Sequence, residues 1–560
     1  MSKTVSSVLI TAACLFLGWS LLVLAASPLT AQPGSVKTIL DSPSNYPAGL
    51  ATDGKHFYVA DWRAGLIYQL DATKGSITGK QKAPTLKPSG LAWGDGLLYV
   101  SDDHTGAIYA WDFKTGIVDH TFQAPGSRAS GLAWADGKLF ILERRSRKIY
   151  QVLPEDGTIL AIFDVPDRNC TCLSFDGRYL WIANRIADEL YMVDPGDGAV
   201  IGILEAPGPH AAGITWRDGF LWNVDFQNRK LYELAVYTEV PYFLTDPRVA
   251  RVEYYWALSN YGPGQVTDVT LNIAIPEKLP NQELLSEINY STAPKKITKD
   301  QWDQPCALFE LGSIEAGSKA ELVYSVNAKV SAINYLIIPE KTGTLSDIPK
   351  EVRKEYLEDG SRYRLSSPYI QETAKKIVGD ETNPYWIARK IYNFIIGELY
   401  YEMIGGWDVP EVVLKRGSGS CSEYTFSFVS LCRAAGLPAR YQGSIVVRGD
   451  DASVDEAFHR WAQIYLPNYG WIPVDANRGD SDSPVGQAKG IGRLADRFLI
   501  TTHSGGGSDY LGWSYNSFAK YKLDGYCKVE EDNFGFWEPI GKVDETGAVI
   551  IEGSGDGCGP

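Results

Sequence analysis

The sequence predicts a multidomain, mostly β chain: a five-bladed propeller, then an antiparallel β-sandwich of immunoglobulin type, then an α+β domain. Three observations predict it. A 41-residue repeat runs five times through the first third, short alternating runs fill the middle, and capped helices followed by a hairpin occupy the last third. A chain of 560 residues is also too long for one hydrophobic core and suits three or four domains of ~100–200 residues.

Residues 1–31 read as a signal peptide or N-terminal anchor. Lys3 precedes the apolar run Val8–Ala26, and small residues with Pro follow it. The run is also long enough to span a bilayer, so cleavage near Ser27 or Ala31 and retention as a membrane anchor both stay open. Either route exports the rest of the chain, to a periplasmic or extracellular location. Eight cysteines are present, and Cys14 belongs to the apolar run. The odd number left in an oxidising compartment implies at least one unpaired thiol, for which Cys421 is the candidate. Cys170 and Cys172 are expected on one face of a strand and unbridged, whereas Cys527 and Cys558 can pair.

The propeller is placed at residues 36–236. Tyr68, Tyr109, Tyr150, Tyr191 and Tyr232 are spaced by 41, as are Pro43, Pro84, Pro125, Pro166 and Pro207, and the series Gly49, Gly90, Gly131, Cys172 and Gly213. In each unit an apolar run such as "GLAWADGKLFIL" is split by Asp-Gly, a hairpin signal because Gly tolerates positive φ. A strand ending in Tyr and an outer strand ending in Pro complete about four strands. The fifth unit lacks its outer strand, and "VKTILDSP" at 36–43 matches that strand ahead of the first unit. Residues 36–43 should therefore close the ring on the fifth blade, removing two exposed sheet edges.

Residues 238–345 alternate apolar and polar, as in "VARVEYYWALSNYGPGQVTDVTLNIAIP", with Asn-Tyr-Gly-Pro-Gly read as a turn; this is the predicted sandwich. Residues 346–364, charged and broken by Pro and Gly, are assigned as a linker. The α+β domain is assigned to 365–545 and a flexible tail to 546–560.

In the α+β domain, Asn383 and Pro384 begin a helix with Ile387, Ile391, Phe394 and Ile395 on one face. A second helix starts in "GSGSCSEYTFSF", capped by Ser418 or Ser420, with Tyr424, Phe428, Leu431 and Cys432 on one face and Gly436 and Pro438 at its end. Cys421 then lies in the first turn, where unpaired N–H groups and the helix dipole lower a thiol pKa from ~8.5, while Cys432 is a core residue. A nucleophilic thiol needs a base, and His459 is the one histidine between residues 365 and 500. "HRWAQIYL" and "WIPVDAN" form a hairpin around "PNYG", in which Asp475 can orient the His459 imidazole.

Cys421 in "GSCSEYTFSFVSLCRAAGLPAR", His459 in "HRWAQIYLPNYGW" and Asp475 in "VDAN" resemble the three blocks of the transglutaminase-like superfamily, a papain-related fold. The resemblance covers roughly residues 370–500. It implies Cys421 as nucleophile, His459 as base and Asp475 as orienter, with the Cys421 backbone N–H as oxyanion donor and Tyr401, Trp407 or Trp461 as oxyanion or supporting groups. Asp475-Ala476-Asn477 stands where the family often has Asp-Pro-Thr, which bears on loop shape and substrate fit. The implied activity is that of an exported thiol enzyme that attacks peptide or glutamine amides through an acyl-enzyme, as a peptidase or deamidase, or as a transglutaminase.

The repeat region resembles propellers of the NHL and glutamine-cyclotransferase type. "AGLATDG" and "SGLAWGDG" lack the glutamate expected of a glutaminyl cyclase before Gly-Leu. The ring is accordingly read as a module for a protein or glycan ligand. Two alternatives stand beside the thiol enzyme: an inert thiol domain on a propeller adaptor, and a cyclase-like ring.

Net charge of −15 and a pI near 5.0 argue against nucleic acid or anionic membrane surfaces as partners, since both need a basic footprint. The expected partner is a protein or peptide substrate. No cofactor or metal is expected. "HSGGGSD" at 503–509 lacks the strand–loop–helix setting of a phosphate cradle and reads as a flexible loop. "DANRGDSD" at 475–482 lacks the closing glutamate of a calcium loop and reads as a solvated turn.

Overall fold

The computed structural model describes residues 31–403, 407–449, 453–544 and 546–551. The apolar run Val8–Ala26 with Cys14, and Cys558 with its suggested pairing, lie outside the described residues. Among the described residues no helix is long and apolar enough to cross a membrane.

Five four-stranded antiparallel sheets form the propeller. The first pairs Pro47–Thr52, His56–Asp61, Leu66–Asp71 and Ile77–Lys82 in chain order, and the next three repeat that order. The fifth takes Ala211–Arg217, Phe220–Asp225 and Lys230–Ala235 from the end of the repeat region and Val36–Asp41 from its beginning, with Ile39 opposite Tyr232. Asp95-Gly96, Asp136-Gly137 and Asp218-Gly219 have positive φ at both positions, as a type I′ hairpin requires. The tyrosines of the 41-residue series sit inside the third strands rather than at their ends.

The glycine series marks where the innermost strands converge on the axis. A Cβ on Gly131 would lie 2.9 Å from the backbone nitrogen of Leu173, and one on Gly90 2.9 Å from that of Leu132. Cys172 replaces glycine in the fourth blade, with its Sγ 3.7 Å from the Ala211 carbonyl oxygen. A bulge between Cys170 and Cys172 breaks the expected same-face placement: Cys170 packs with Leu180 and Ile182, Cys172 with Ala211 and Ile214. Both thiols are buried and free.

The middle of the chain departs from the predicted immunoglobulin type. Tyr242–Ala274 is one long strand that runs straight through Asn-Tyr-Gly-Pro-Gly, which bends it instead of reversing it. Ser318–Tyr335 pairs with its first arm and Pro305–Ile314 with its second. Residues of both arms, among them Trp256, Leu258, Val266 and Leu271, share one core. The other edge of the long strand is filled by Ser517–Val543, which pairs with it from Val249 to Ile273.

Three assigned boundaries are corrected by this pairing and packing. Residues 517–543 belong to the sheet of the middle region and not to the domain assigned to 365–545; their alternation is mostly solvent-facing and carries no sign of a distant partner. The tail assigned to 546–560 begins with Val549–Ile551, which pairs with Gly541–Val543, and residues 552–560 lie outside the described residues. The linker assigned to 346–364 is part of the last domain: Tyr363 is fully buried against Phe426 and Trp513, and its carbonyl accepts a hydrogen bond from Ser430.

The last domain carries a four-stranded antiparallel sheet in the order Gly470–Val474, His459–Leu466, Ala439–Val446, Phe498–Ser504. Helix Cys421–Ala434 packs on the His459 strand and is flanked by helices Pro368–Val378 and Pro384–Glu398. Asn383 caps the last of these by accepting from the amides of Tyr385 and Trp386. The Gly505–Gly507 segment is a packing surface and not an open loop, because a Cβ on Gly506 would lie 2.4 Å from the Trp513 ring. The fourth and fifth blades abut this domain through a core joining Trp181 and Leu204 to Leu336, Ile337 and the helix residues Ile387 and Ile391.

Candidate active site

Cys421 is the first residue of its helix because Ser420 caps it and Glu423, three residues on, reaches back to the Ser420 amide at 2.8 Å. Glu423 is buried, and its other oxygen accepts from Arg416 at 2.9 Å and from the Asp408 amide at 3.2 Å, which fixes the loop leading into the helix. Tyr400–Tyr401 pairs in parallel with Ser418–Gly419 and brings Tyr401 beside the same loop. The side chain of Thr425 closes the first turn by donating to the Cys421 carbonyl at 2.7 Å.

His459 opens its strand after Phe458, whose φ is +53°. Buried Asp455 holds that turn by accepting from the amides of Val446 at 2.8 Å and Phe458 at 2.9 Å and from Arg448 Nε at 2.9 Å. Phe498 stacks on the imidazole at 5.5 Å between centroids, and Trp461 lies at 5.7 Å. His459 Nε2 is 2.8 Å from Asp475 Oδ2, and Asp475 Oδ1 accepts from the Arg478 amide at 3.1 Å. With Nε2 engaged by Asp475, Nδ1 is the nitrogen left for the Cys421 thiol, which lines the same cleft.

The charges support one another across this row. Burial acts against an imidazolium at His459, but the Asp475 carboxylate and the Cys421 sulfur outweigh it and raise the group from 6.5 to about 10. Burial likewise opposes a thiolate at Cys421, yet hydrogen bonding to His459 and its charge, with help from Arg460, bring the thiol below its ordinary value. Asp475 is held low against its burial by His459 and the Arg478 amide. Cys432, eleven residues on in the same helix, is buried without such partners and is pushed well above the thiol range.

Cys421, His459 and Asp475 line one cleft of about 610 Å³, together with Tyr401 and Trp407. Trp461 is fully buried behind His459, donating to Gln442 at 3.0 Å, so it backs the imidazole and does not face the cleft. Sequence reasoning missed Phe498 and Asp455, and it missed Arg460. That guanidinium is fully buried in a cage of Trp407, Phe426, Tyr441 and Tyr515 at 4.3–4.7 Å, and donates to the Trp513 carbonyl at 2.6 Å. It also missed that Arg448, Arg478 and Arg497 all line the cleft; burial first, then the charges of the other two, bring Arg497 below its ordinary value. An arginine directly after the lone histidine was the one available signal.

Comparison with known proteins gives a family for this part of the chain. Residues 371–476 match the family model of the transglutaminase-like superfamily, so the chain carries a transglutaminase-like domain. An uncharacterized protein of Haemophilus influenzae is 30% identical over 158 residues, which cover 23% of this chain and 42% of that protein. Among solved structures, Myxococcus xanthus glutaminyl cyclase aligns over 37% of this chain and 99% of its own, at 16% identity and a TM-score of 0.34. A candidate cysteine protease from Cytophaga hutchinsonii aligns over 53% of this chain and 100% of its own, at 14% identity and a TM-score of 0.36.

Proposed function

We propose that the transglutaminase-like domain is an exported thiol enzyme that cleaves or transfers amide-linked acyl groups of a peptide or protein. One observation carries this reading: a thiol at a helix N-terminus lines the same cleft as a histidine whose Nε2 is 2.8 Å from a buried carboxylate.

The chemistry follows from the positions. Cys421 Sγ, as thiolate, attacks the amide carbonyl carbon, and the backbone N–H of Cys421 in the first helical turn donates to the oxygen that becomes negative. His459, carrying the proton taken from the thiol, gives it to the leaving nitrogen as the C–N bond breaks, leaving a thioester on Cys421. Water or an amine then attacks the thioester carbon; His459 takes the proton of the attacking group and returns it to the sulfur as the C–S bond breaks. Asp475 stays ionised and keeps the imidazole in register. The arginines at 448, 478 and 497 favour acyl donors with acidic flanks.

The test is to supply the purified protein with glutamine-containing peptides and a labelled primary amine. Incorporation of the amine assigns transfer; release of ammonia or of shorter peptides without incorporation assigns hydrolysis. Absence of all three, with the thiol intact, contradicts the proposal.

A further inference from the structure

The 41-residue repeat holds some positions constant in role and varies others, and the variable ones converge in space. Asp61, Asp102, Glu143, Asn184 and Asp225 occupy one repeat position, and each accepts at least one backbone amide of the turn it starts, as Asp61 does from Arg63 and Ala64 at 3.0 and 2.7 Å. The next position reads Trp62, Asp103, Arg144, Arg185 and Phe226. All five line one cavity of about 380 Å³ at an end of the propeller axis, floored by the five residues that precede the glycine series, among them Ser89, Ser130 and Thr171. That size falls in the range of small-ligand sites.

The cavity is divided by chemistry. On the first and fifth blades Trp62 and Phe226 flank Tyr46, at 5.9 and 6.4 Å between ring centroids, and His210 lies 5.2 Å from Phe226. Trp62 is 42% exposed, unusual for an indole with no contact requirement of its own. The third and fourth blades carry Arg144 and Arg185, and the second carries Lys87, whose carbonyl accepts from the Asp103 amide at 3.3 Å. Arg144 is 4.0 Å from Asp103, which also meets Arg128 at 3.6 Å. Arg185 has no carboxylate within ion-pair distance among the described residues, and the fourth blade is the one whose turn is built by an amide, Asn184, where the other four use a carboxylate. Asp225 accepts from the His210 amide at 2.7 Å. Two buried polar atoms of the cavity lining have no hydrogen-bond partner: Arg185 Nε and Asp103 Oδ1. Buried polar groups are rarely left so, and here a donor without a partner belongs to a side chain that lines the same cavity as Trp62 and Phe226.

We infer that this cavity is a second binding site, independent of Cys421, for an aromatic carboxylate: the ring against Trp62 and Phe226, the carboxylate on Arg185. The carboxylate can belong to a small free acid or to the C-terminal end of a polypeptide, since both present the same group.

Isothermal titration of the full chain with N-acetylphenylalanine, N-acetylphenylalaninamide and N-acetylglycine tests it. The inference expects the acid to bind at least about tenfold more tightly than its amide and than N-acetylglycine. Arg185→Gln, which removes the charge and keeps a shorter polar side chain, should lose at least tenfold, Trp62→Ala at least several-fold, and Cys421→Ala nothing. A hexapeptide ending in phenylalanine that binds as well as the acid, and loses binding on C-terminal amidation, supports the site with a chain end as its ligand; binding of the acid alone supports it with a small molecule. Equal binding of acid and amide overturns the inference. So does binding that survives both Arg185→Gln and Trp62→Ala but falls with Arg497→Gln, because the acid would then sit in the thiol cleft.

Discussion

Replacing Asp475 by asparagine keeps the side chain's size and removes the charge beside His459. The histidine stands at about 10 in place of 6.5, which at about 1.4 kcal/mol per pKa unit is roughly 5 kcal/mol in favour of the imidazolium. That figure is what remains after burial has opposed the charge, and two anionic partners supply it, Asp475 and Cys421. The carboxylate is the larger of the two, so removing it should make the thiolate–imidazolium pair at least about tenfold scarcer. The assay is alkylation of Cys421 by iodoacetamide across pH, read by mass spectrometry. The wild type should react fast well below the reference thiol pKa of ~8.5. Asp475→Asn should react at least about tenfold more slowly near pH 6.5, with its rate rising only toward that reference value, and Asp475→Ala should behave alike. Equal rates in wild type and both variants would refute the reasoning, since the carboxylate would then contribute nothing to the charge on His459.

Other consequences are open to measurement. Because His459 is raised from 6.5 to about 10, its contribution to stability is complete below pH 6.5 and is lost as pH rises through about 10; urea unfolding should show that decline in the wild type and a shallower one in Asp475→Asn. Arg460→Lys should lower stability by about 2 kcal/mol in urea unfolding, because an ammonium cannot stack flat against the four rings as the guanidinium does. Removal of residues up to Asp41 takes away the closing strand paired with Lys230–Leu234; it should cost about 3 kcal/mol and promote aggregation, seen as a lower melting temperature with increased light scattering.

What could be read from the sequence was what is local or periodic. Helix start, cap and thiol lie within Ser420–Glu423, and one hairpin brings His459 to Asp475, so few residues of separation had to be bridged. Ring closure by Val36–Asp41 was legible because the repeat has a phase and the missing strand had to be somewhere. The partner of Tyr242–Ala274 was not legible, because Ser517–Val543 is remote in the chain and presents mostly solvent-facing residues that fit any edge. The Arg460 cage is formed by aromatics at 407, 426, 441 and 515, which no spacing connects. The bulge that separates Cys170 from Cys172 is likewise a property of strands meeting at an axis, not of the two residues.

The most direct test of the central claim is to trap the thioester. The protein is mixed with a p-nitrophenyl ester of an acylated glutamate, quenched in acid within seconds and digested, and the peptide holding Cys421 is weighed. The account predicts a burst of nitrophenolate close to one per molecule and the acyl mass on Cys421, both abolished by Cys421→Ala and greatly reduced by His459→Ala. No burst, or an acyl mass spread over lysines and unchanged in either variant, would contradict it.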